Sequence, residues 1–72
     1  MKYLVIIEKG PNNYSAYVPD LPGCTSAGTT VEDLLVGIKE AIEGHLELMR
    51  EYGDPIPEPT SESVFVEVPL AV

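Results

Sequence analysis

A cysteine and a histidine are the side chains of this sequence with the widest chemical range. Cys24 and His45 are the only residues of their types in the chain. A nucleophilic cysteine needs a nearby base, and a histidine that acts as a base or a metal ligand needs companion groups. Because no such companion lies close in the sequence, we expect Cys24 to be a small, half-buried apolar residue. We expect His45, at the edge of an apolar helix stripe, to pack in the core or in an interface.

Carboxylate side chains raise a second possibility, a metal-dependent nuclease. That chemistry needs a cluster of acids that holds two cations about 4 Å apart. Residues 3–7, the centre of the first predicted strand, carry no acid, and Glu8 comes only at the strand's end. The acids of the predicted helix face away from the sheet. The sequence therefore predicts a protein that is not an enzyme, with no catalytic residue, cofactor or metal; a degenerate nuclease is the alternative.

A rigid corner in the stretch AYVPDLPGC is the most unusual local feature of the chain. Pro19 and Pro22 stop a strand, Gly23 permits the turn, and Leu21 is placed to plug the end of the core. Asp20 lies between two rigid residues and has no evident partner nearby in the sequence. Because a preorganised charge at an edge suits recognition, we expect Asp20 to meet a basic partner.

Charge and length limit the classes of function. Twelve acidic residues against four basic ones give a net charge of −8 over 72 residues. Direct binding of nucleic acid needs a basic surface, so this charge argues against it and favours a basic protein partner. The chain forms one domain, 1–72, whose small core gives marginal stability. With one cysteine and no zinc cluster, oligomerisation is the remaining means of stabilisation.

The N-terminal apolar run, residues 3–7, is too short for a signal peptide or a membrane span. We therefore expect a cytoplasmic protein.

The elements that position these residues form an α+β arrangement. β-branched and aromatic runs separated by turn residues predict four strands of one mostly antiparallel sheet, at 2–8, 14–18, 25–28 and 63–68. Apolar residues at helical spacing predict one long helix over 31–52, between an N-cap at Thr30 and a stop at Gly53 and Pro55. The alternating prolines that follow the helix predict an extended return linker.

The helix is expected to cover one face of the sheet. Its apolar stripe consists of Val31, Leu35, Ile38, Ile42, Leu46 and Met49. The first strand is apolar on both faces, which is typical of a central strand. Since one helix covers only one face, a second copy is expected on the other face or on the Gly37–Gly44 flank of the helix, giving a dimer or a tetramer.

Several spaced motifs resemble the HicB-type antitoxins. They are PDLPGC at 19–24, Gly28 and Thr30 before the helix, Gly53, and IPEP at 56–59. The resemblance covers nearly the whole chain and implies a partial ribonuclease-H-like fold with the element order β-β-β-α-β. Many members carry a C-terminal helix-turn-helix or ribbon-helix-helix domain. This sequence stops at Val72, straight after the last predicted strand, so a short form without that domain is expected.

The resemblance also implies the partner, HicA, a small basic toxin that cleaves mRNA with a histidine. The predicted function is thus the antitoxin of a type II toxin–antitoxin pair, which masks the toxin's basic RNA-binding surface. The expected contacts are Glu8, Asp20 and Leu21, together with the helix acids Glu43 and Glu47. An orphan HicB-like homo-oligomer without a toxin is a further alternative.

Overall fold

A computed structural model describes residues 1–70 of the chain. Its elements, in chain order, are β1 (Ile6–Lys9), β2 (Tyr14–Tyr17), β3 (Thr25–Gly28) and α1 (Val31–Glu51). The three strands form one antiparallel sheet in the order β1-β2-β3. The predicted α+β class, the third strand and the single long helix are confirmed.

The first two strands are shorter than the sequence indicated. β1 begins at Ile6, not at residue 2, and Ile6 is opposite Tyr17, the last residue of β2. After Tyr17 the chain enters the corner, where the Val18 N–H donates to the carbonyl of Cys24 instead of to β1. Pro19 has no N–H to offer. Residues 2–5 therefore have no β2 residue to pair with.

Both ends of α1 are capped as the sequence predicts. Thr30 has extended backbone, and its hydroxyl accepts a hydrogen bond from the Asp33 N–H at 3.1 Å. At the other end Gly53 has a φ of +72°, the left-handed region that glycine adopts freely. The Gly53 and Asp54 N–H groups donate to the carbonyls of Arg50 and Met49, the paired bonds of a Schellman motif.

The core lies where α1 packs over β3 and β2. Its buried residues are Ala16, Val18, Leu21, Cys24, Leu34 and Ile38. The predicted stripe is wrong at one position: Leu35 is 49% exposed, and Leu34 is fully buried in its place. Leu34 and Ile38 are the residues of α1 that face the two strands beneath it. Ile42, Leu46 and Met49 are only partly buried, at the edge of the core.

The glycines of the helix differ in their surroundings. A Cβ on Gly37 would lie 2.6 Å from the Ser26 hydroxyl, whereas a Cβ on Gly44 would meet nothing within 4 Å. The flank that we expected to face a second copy therefore faces β3 of the same chain at Gly37. The absence of a side chain there permits the close approach of α1 to the sheet.

The fourth strand predicted over 63–68 does not form in the single chain. Of the described residues, 54–70 include no helix or strand. The four-stranded sheet is thus a three-stranded one here, because the last apolar segment runs along no strand of its own chain. The ribonuclease-H-like arrangement, which needs that strand, stays a prediction. Within residues 1–70, no helix has the length and apolar character to cross a membrane.

Candidate functional site

The corner between β2 and β3 is a compact, internally hydrogen-bonded turn. Val18 N–H donates to Cys24 O at 3.1 Å, Leu21 N–H to Val18 O at 3.0 Å, and Cys24 N–H to Leu21 O at 3.0 Å. Gly23 has a φ of +84°. The Leu21 side chain has no exposed surface, which confirms its predicted place in the core. A partner could contact it only if the corner opened, so its role as a partner contact stays a prediction.

Asp20 holds a distant part of the chain. Its Oδ2 accepts hydrogen bonds from the backbone N–H groups of Thr60 and Ser61, each at 3.0 Å. Its Oδ1 accepts from their hydroxyls, at 3.2 Å and 2.8 Å respectively. The hydrogen bonds from Ser61, followed by those from Thr60, lower the pKa of Asp20 and keep it charged. The partners of Asp20 are thus distant in sequence and lie within its own chain, and its contact with a basic partner stays a prediction.

A second hydrogen bond holds the same part of the chain. The Tyr3 hydroxyl donates to the carbonyl of Pro57. We call residues 54–61 the strap, because they are held at Pro57 by the N-terminal segment and at Thr60 and Ser61 by the corner. These bonds join residues 54, 40 and 41 positions apart in sequence. No local sequence pattern indicates such distant pairs. The sequence therefore predicted that the strap is extended, but not what holds it.

An apolar groove opens beside the helix. It has a volume of about 440 Å³ and is lined mainly by Met1, Tyr3, Val5, Ile38, Ile42 and Leu46, with Lys39 and Glu43 at its margin. It exists because α1 lies over β3 and β2 and leaves the β1 side of the sheet uncovered. We expected uncovered apolar surface on the sheet face away from the helix, but this groove lies on the helix side.

The predicted acidic contacts do not form one cluster. Glu8 is exposed and pairs in register with Ser15. Because side chains alternate along a strand, Glu8 lies on the face opposite to buried Ala16 and hence opposite to α1. Glu43 and Glu47 are exposed on α1 and border a second shallow depression with Ile56 of the strap. The structure thus presents negative charge on two faces.

The remaining candidates for chemistry are isolated. Cys24 is 3% exposed, and burial raises the pKa of its thiol, which disfavours the reactive thiolate. His45 is half-buried on α1. Among residues 1–70, no three His, Cys, Asp or Glu side chains come together in a group that could hold a metal ion.

Comparisons with known proteins define the class and then the family. A chain of a solved HicA3 and HicB3 toxin–antitoxin complex superposes with a TM-score of 0.71 at 33% identity, over 83% of this chain and 70% of that one. The family described as the HicB_like antitoxin of bacterial toxin–antitoxin systems matches residues 3–69. The chain belongs to this family.

Relatives extend beyond bacteria. A UPF0150 protein of Thermoplasma acidophilum is 40% identical over 92% of this chain and 97% of its own length. An uncharacterized 14.9 kDa protein of Haemophilus phage HP1 is 38% identical over 96% of this chain, which spans 52% of the phage protein. The same domain thus occurs in proteins of different length.

Proposed function

We propose that this protein is the antitoxin of a type II toxin–antitoxin pair and that it binds a HicA-type toxin. The observation that carries the proposal is the similarity, in sequence and in fold, to a chain of the HicA3 and HicB3 complex. The family match over residues 3–69 supports the same role. Neutralisation would follow from occupation of the toxin's RNA-binding surface.

The charge of the chain supports this mode of inhibition. A surface that holds RNA must be positive, since it contacts phosphates. A protein with a net charge of −8 is attracted to the same surface, which speeds encounter and makes the association rate depend on salt. Apolar contacts then set the lifetime of the complex. Within this proposal the exposed carboxylates of Glu8, Glu43 and Glu47 attract the basic toxin. Asp20 contributes by holding the strap in place.

Charge reversal at single positions tests which face binds. Glu8→Lys and Glu47→Lys change the net charge equally but alter opposite faces of the molecule. Glu51→Lys, one turn from Glu47 on the same side of α1, is a second probe of the helix face, and a cation in the last turn of a helix should not reduce stability. We expect reversal on the toxin-binding face to slow association at least tenfold, measured by stopped-flow mixing with the toxin. Equal effects of all three variants would indicate steering by net charge alone.

Co-expression tests the function itself. A HicA-type toxin encoded in the same genome should arrest growth when expressed alone, and co-expression of this chain should restore growth. A failure to restore growth, or an association rate that ignores ionic strength, would contradict the proposal.

We further propose that the protein acts by binding, as a single HicB-like domain in the cytoplasm, without catalysis or direct contact with nucleic acid. Purified protein with Mg²⁺ or Mn²⁺ should leave RNA, DNA and a hybrid duplex intact. Cleavage that is lost in Glu8→Ala would overturn this and restore the nuclease alternative.

A further inference from the structure

The C-terminal part of the described chain exposes its apolar side chains. We call residues 62–70 the arm. The exposed fractions are 82% for Val64, 104% for Phe65, 73% for Val66, 73% for Val68 and 86% for Leu70. This stretch is the most apolar exposed run of the described residues, and it alternates as a strand does, with three valines on one face. An exposed apolar segment with this alternation forms a partner site when it is not covered.

The arm leaves its own core for a structural reason. The strap passes from Tyr3, beside the apolar groove, to Asp20 at the corner, and both contacts hold its course. No glycine, asparagine or proline lies between Ser61 and Val64 to reverse the chain. The Cα radius of gyration is 14.8 Å and the longest dimension 53 Å, whereas a compact chain of this length has a radius of about 11 Å.

The β1 side of the molecule offers a free strand edge and an apolar groove, the two features that an exposed apolar segment needs as a partner. β1 is at the edge of the sheet, so the backbone groups on its outer side pair with no strand of the described chain. The apolar groove lies directly beside it, between Tyr3 and Val5 on one wall and α1 on the other. Ile7, on the same face, is 41% exposed. Apolar residues on both faces are typical of a central strand, yet β1 pairs with only one neighbouring strand.

We propose that the arm of a second copy supplies this neighbour. Residues 64–68 add to the free edge of β1, and Val64, Val66 and Val68 enter the apolar groove. Phe65 and Glu67 then lie on the opposite face, where Leu4, Ile6 and Tyr17 are not covered by the helix. If the arm were turned over, Phe65 and Glu67 would face the apolar groove, and the Glu67 carboxylate would lose its hydration at a cost in free energy.

Reciprocal exchange of the arms gives a closed dimer with twofold symmetry. Each subunit then contains a sheet of four strands, three of its own and one from its partner. The fourth strand that the sequence predicts thus forms between chains.

The experiment measures the mass of the full chain in solution, without any toxin, so its result is independent of the proposed antitoxin function. Sedimentation equilibrium at micromolar concentration should give twice the 7.8 kDa chain mass. Val66→Glu places a charge in the groove and should weaken dimerisation at least tenfold. Since Val66 is 73% exposed in its own chain, the variant should keep the helical signal of the wild type. Glu62→Lys, at the start of the arm and outside the added strand, is the matched control and should leave dimerisation unchanged.

Each other outcome overturns the proposal. A monomeric wild type shows that the arm does not join two copies. A dimer that Val66→Glu leaves intact shows that another surface joins them. A monomer whose melting temperature falls in Val66→Glu shows that the arm folds back on its own groove. A monomer in which the same variant weakens toxin binding shows that the arm is a toxin contact.

Discussion

The strap and the arm follow each other in the chain but relate to the fold in opposite ways. The strap is rich in proline, yet hydrogen bonds from Tyr3 and to Asp20 fix it on the molecule. The arm is rich in valine, the residue type that usually forms the core, yet it extends from the molecule with exposed side chains. Composition alone would assign these roles the other way round. The course of the chain decides these roles, because the strap reaches hydrogen-bond partners on the molecule, whereas the arm does not reach the free edge of β1 in its own chain.

The corner that holds the strap should be the most sensitive point of the fold. Leu21 is fully buried, so Leu21→Ala leaves a cavity and should lower the free energy of unfolding by about 2–5 kcal/mol. Thermal melting followed by circular dichroism measures the loss. Ile42→Ala, at the half-buried margin of the groove, should cost less. A larger cost at Ile42 would mean that the groove, not the corner, is the main core.

Removal of the Asp20 carboxylate should release the strap without unfolding the core. In Asp20→Ala the N–H groups of Thr60 and Ser61 lose their acceptor, so their amide hydrogens should exchange faster, while those of α1 stay protected. Hydrogen exchange read by NMR gives both values in one experiment. Unchanged exchange at residues 60 and 61 would show that Tyr3 alone holds the strap.

The same contact predicts a dependence on pH. The pKa of Asp20 is lowered from its usual value of 3.8 in the folded chain. A lowered pKa contributes stability that is present above the unfolded-state pKa and is lost as the pH falls through the folded-state value. Protection of residues 60 and 61 should therefore persist at neutral pH and fall in acid. Asp20→Asn should abolish this dependence below pH 4, and a wild-type profile in that variant would contradict the assignment.

The hydrogen bond between Tyr3 and Pro57 should contribute less to the free energy of unfolding. Tyr3→Phe removes the hydroxyl that donates to Pro57 and keeps the ring in the groove. The expected loss is about 0.5–1.5 kcal/mol, the net value of one hydrogen bond. Urea unfolding measures this loss. A loss as large as that of Leu21→Ala would show that the hydroxyl also keeps the Tyr3 ring in the groove, beyond the value of its hydrogen bond.

The smallest effect is expected in the arm. Phe65→Ser should leave the stability of the single chain unchanged within about 0.5 kcal/mol, as for exposed sites away from packing. The measurement is urea unfolding at a protein concentration below dimerisation. A clear loss there would mean that Phe65 packs within its own chain and would remove the contrast between arm and strap.

The sequence predicted the elements whose partners are local. The helix followed from its periodicity, Thr30 from its capping pattern, and Leu21 from the prolines around it. Leu35 was misplaced because helical spacing defines an apolar stripe but not which strands lie beneath it. The hydrogen bonds of Asp20 to the strap were not predicted because its partners are 40 and 41 residues away. The strand predicted over 63–68 rested on residue types alone, and a pattern of residue types does not show whether a segment finds a strand to pair with; the structure has no strand there.

The exposed arm also has a consequence for how long the protein survives. Proteases bind substrates as extended chains, and cleavage concentrates in exposed segments with few contacts to the fold. A cut within residues 62–70 would remove the arm, while the strap stays attached through Asp20 and Tyr3. The shortened chain would keep its helix and its buried residues. Turnover of this protein should therefore begin at the arm, and anything that occupies the arm should slow it.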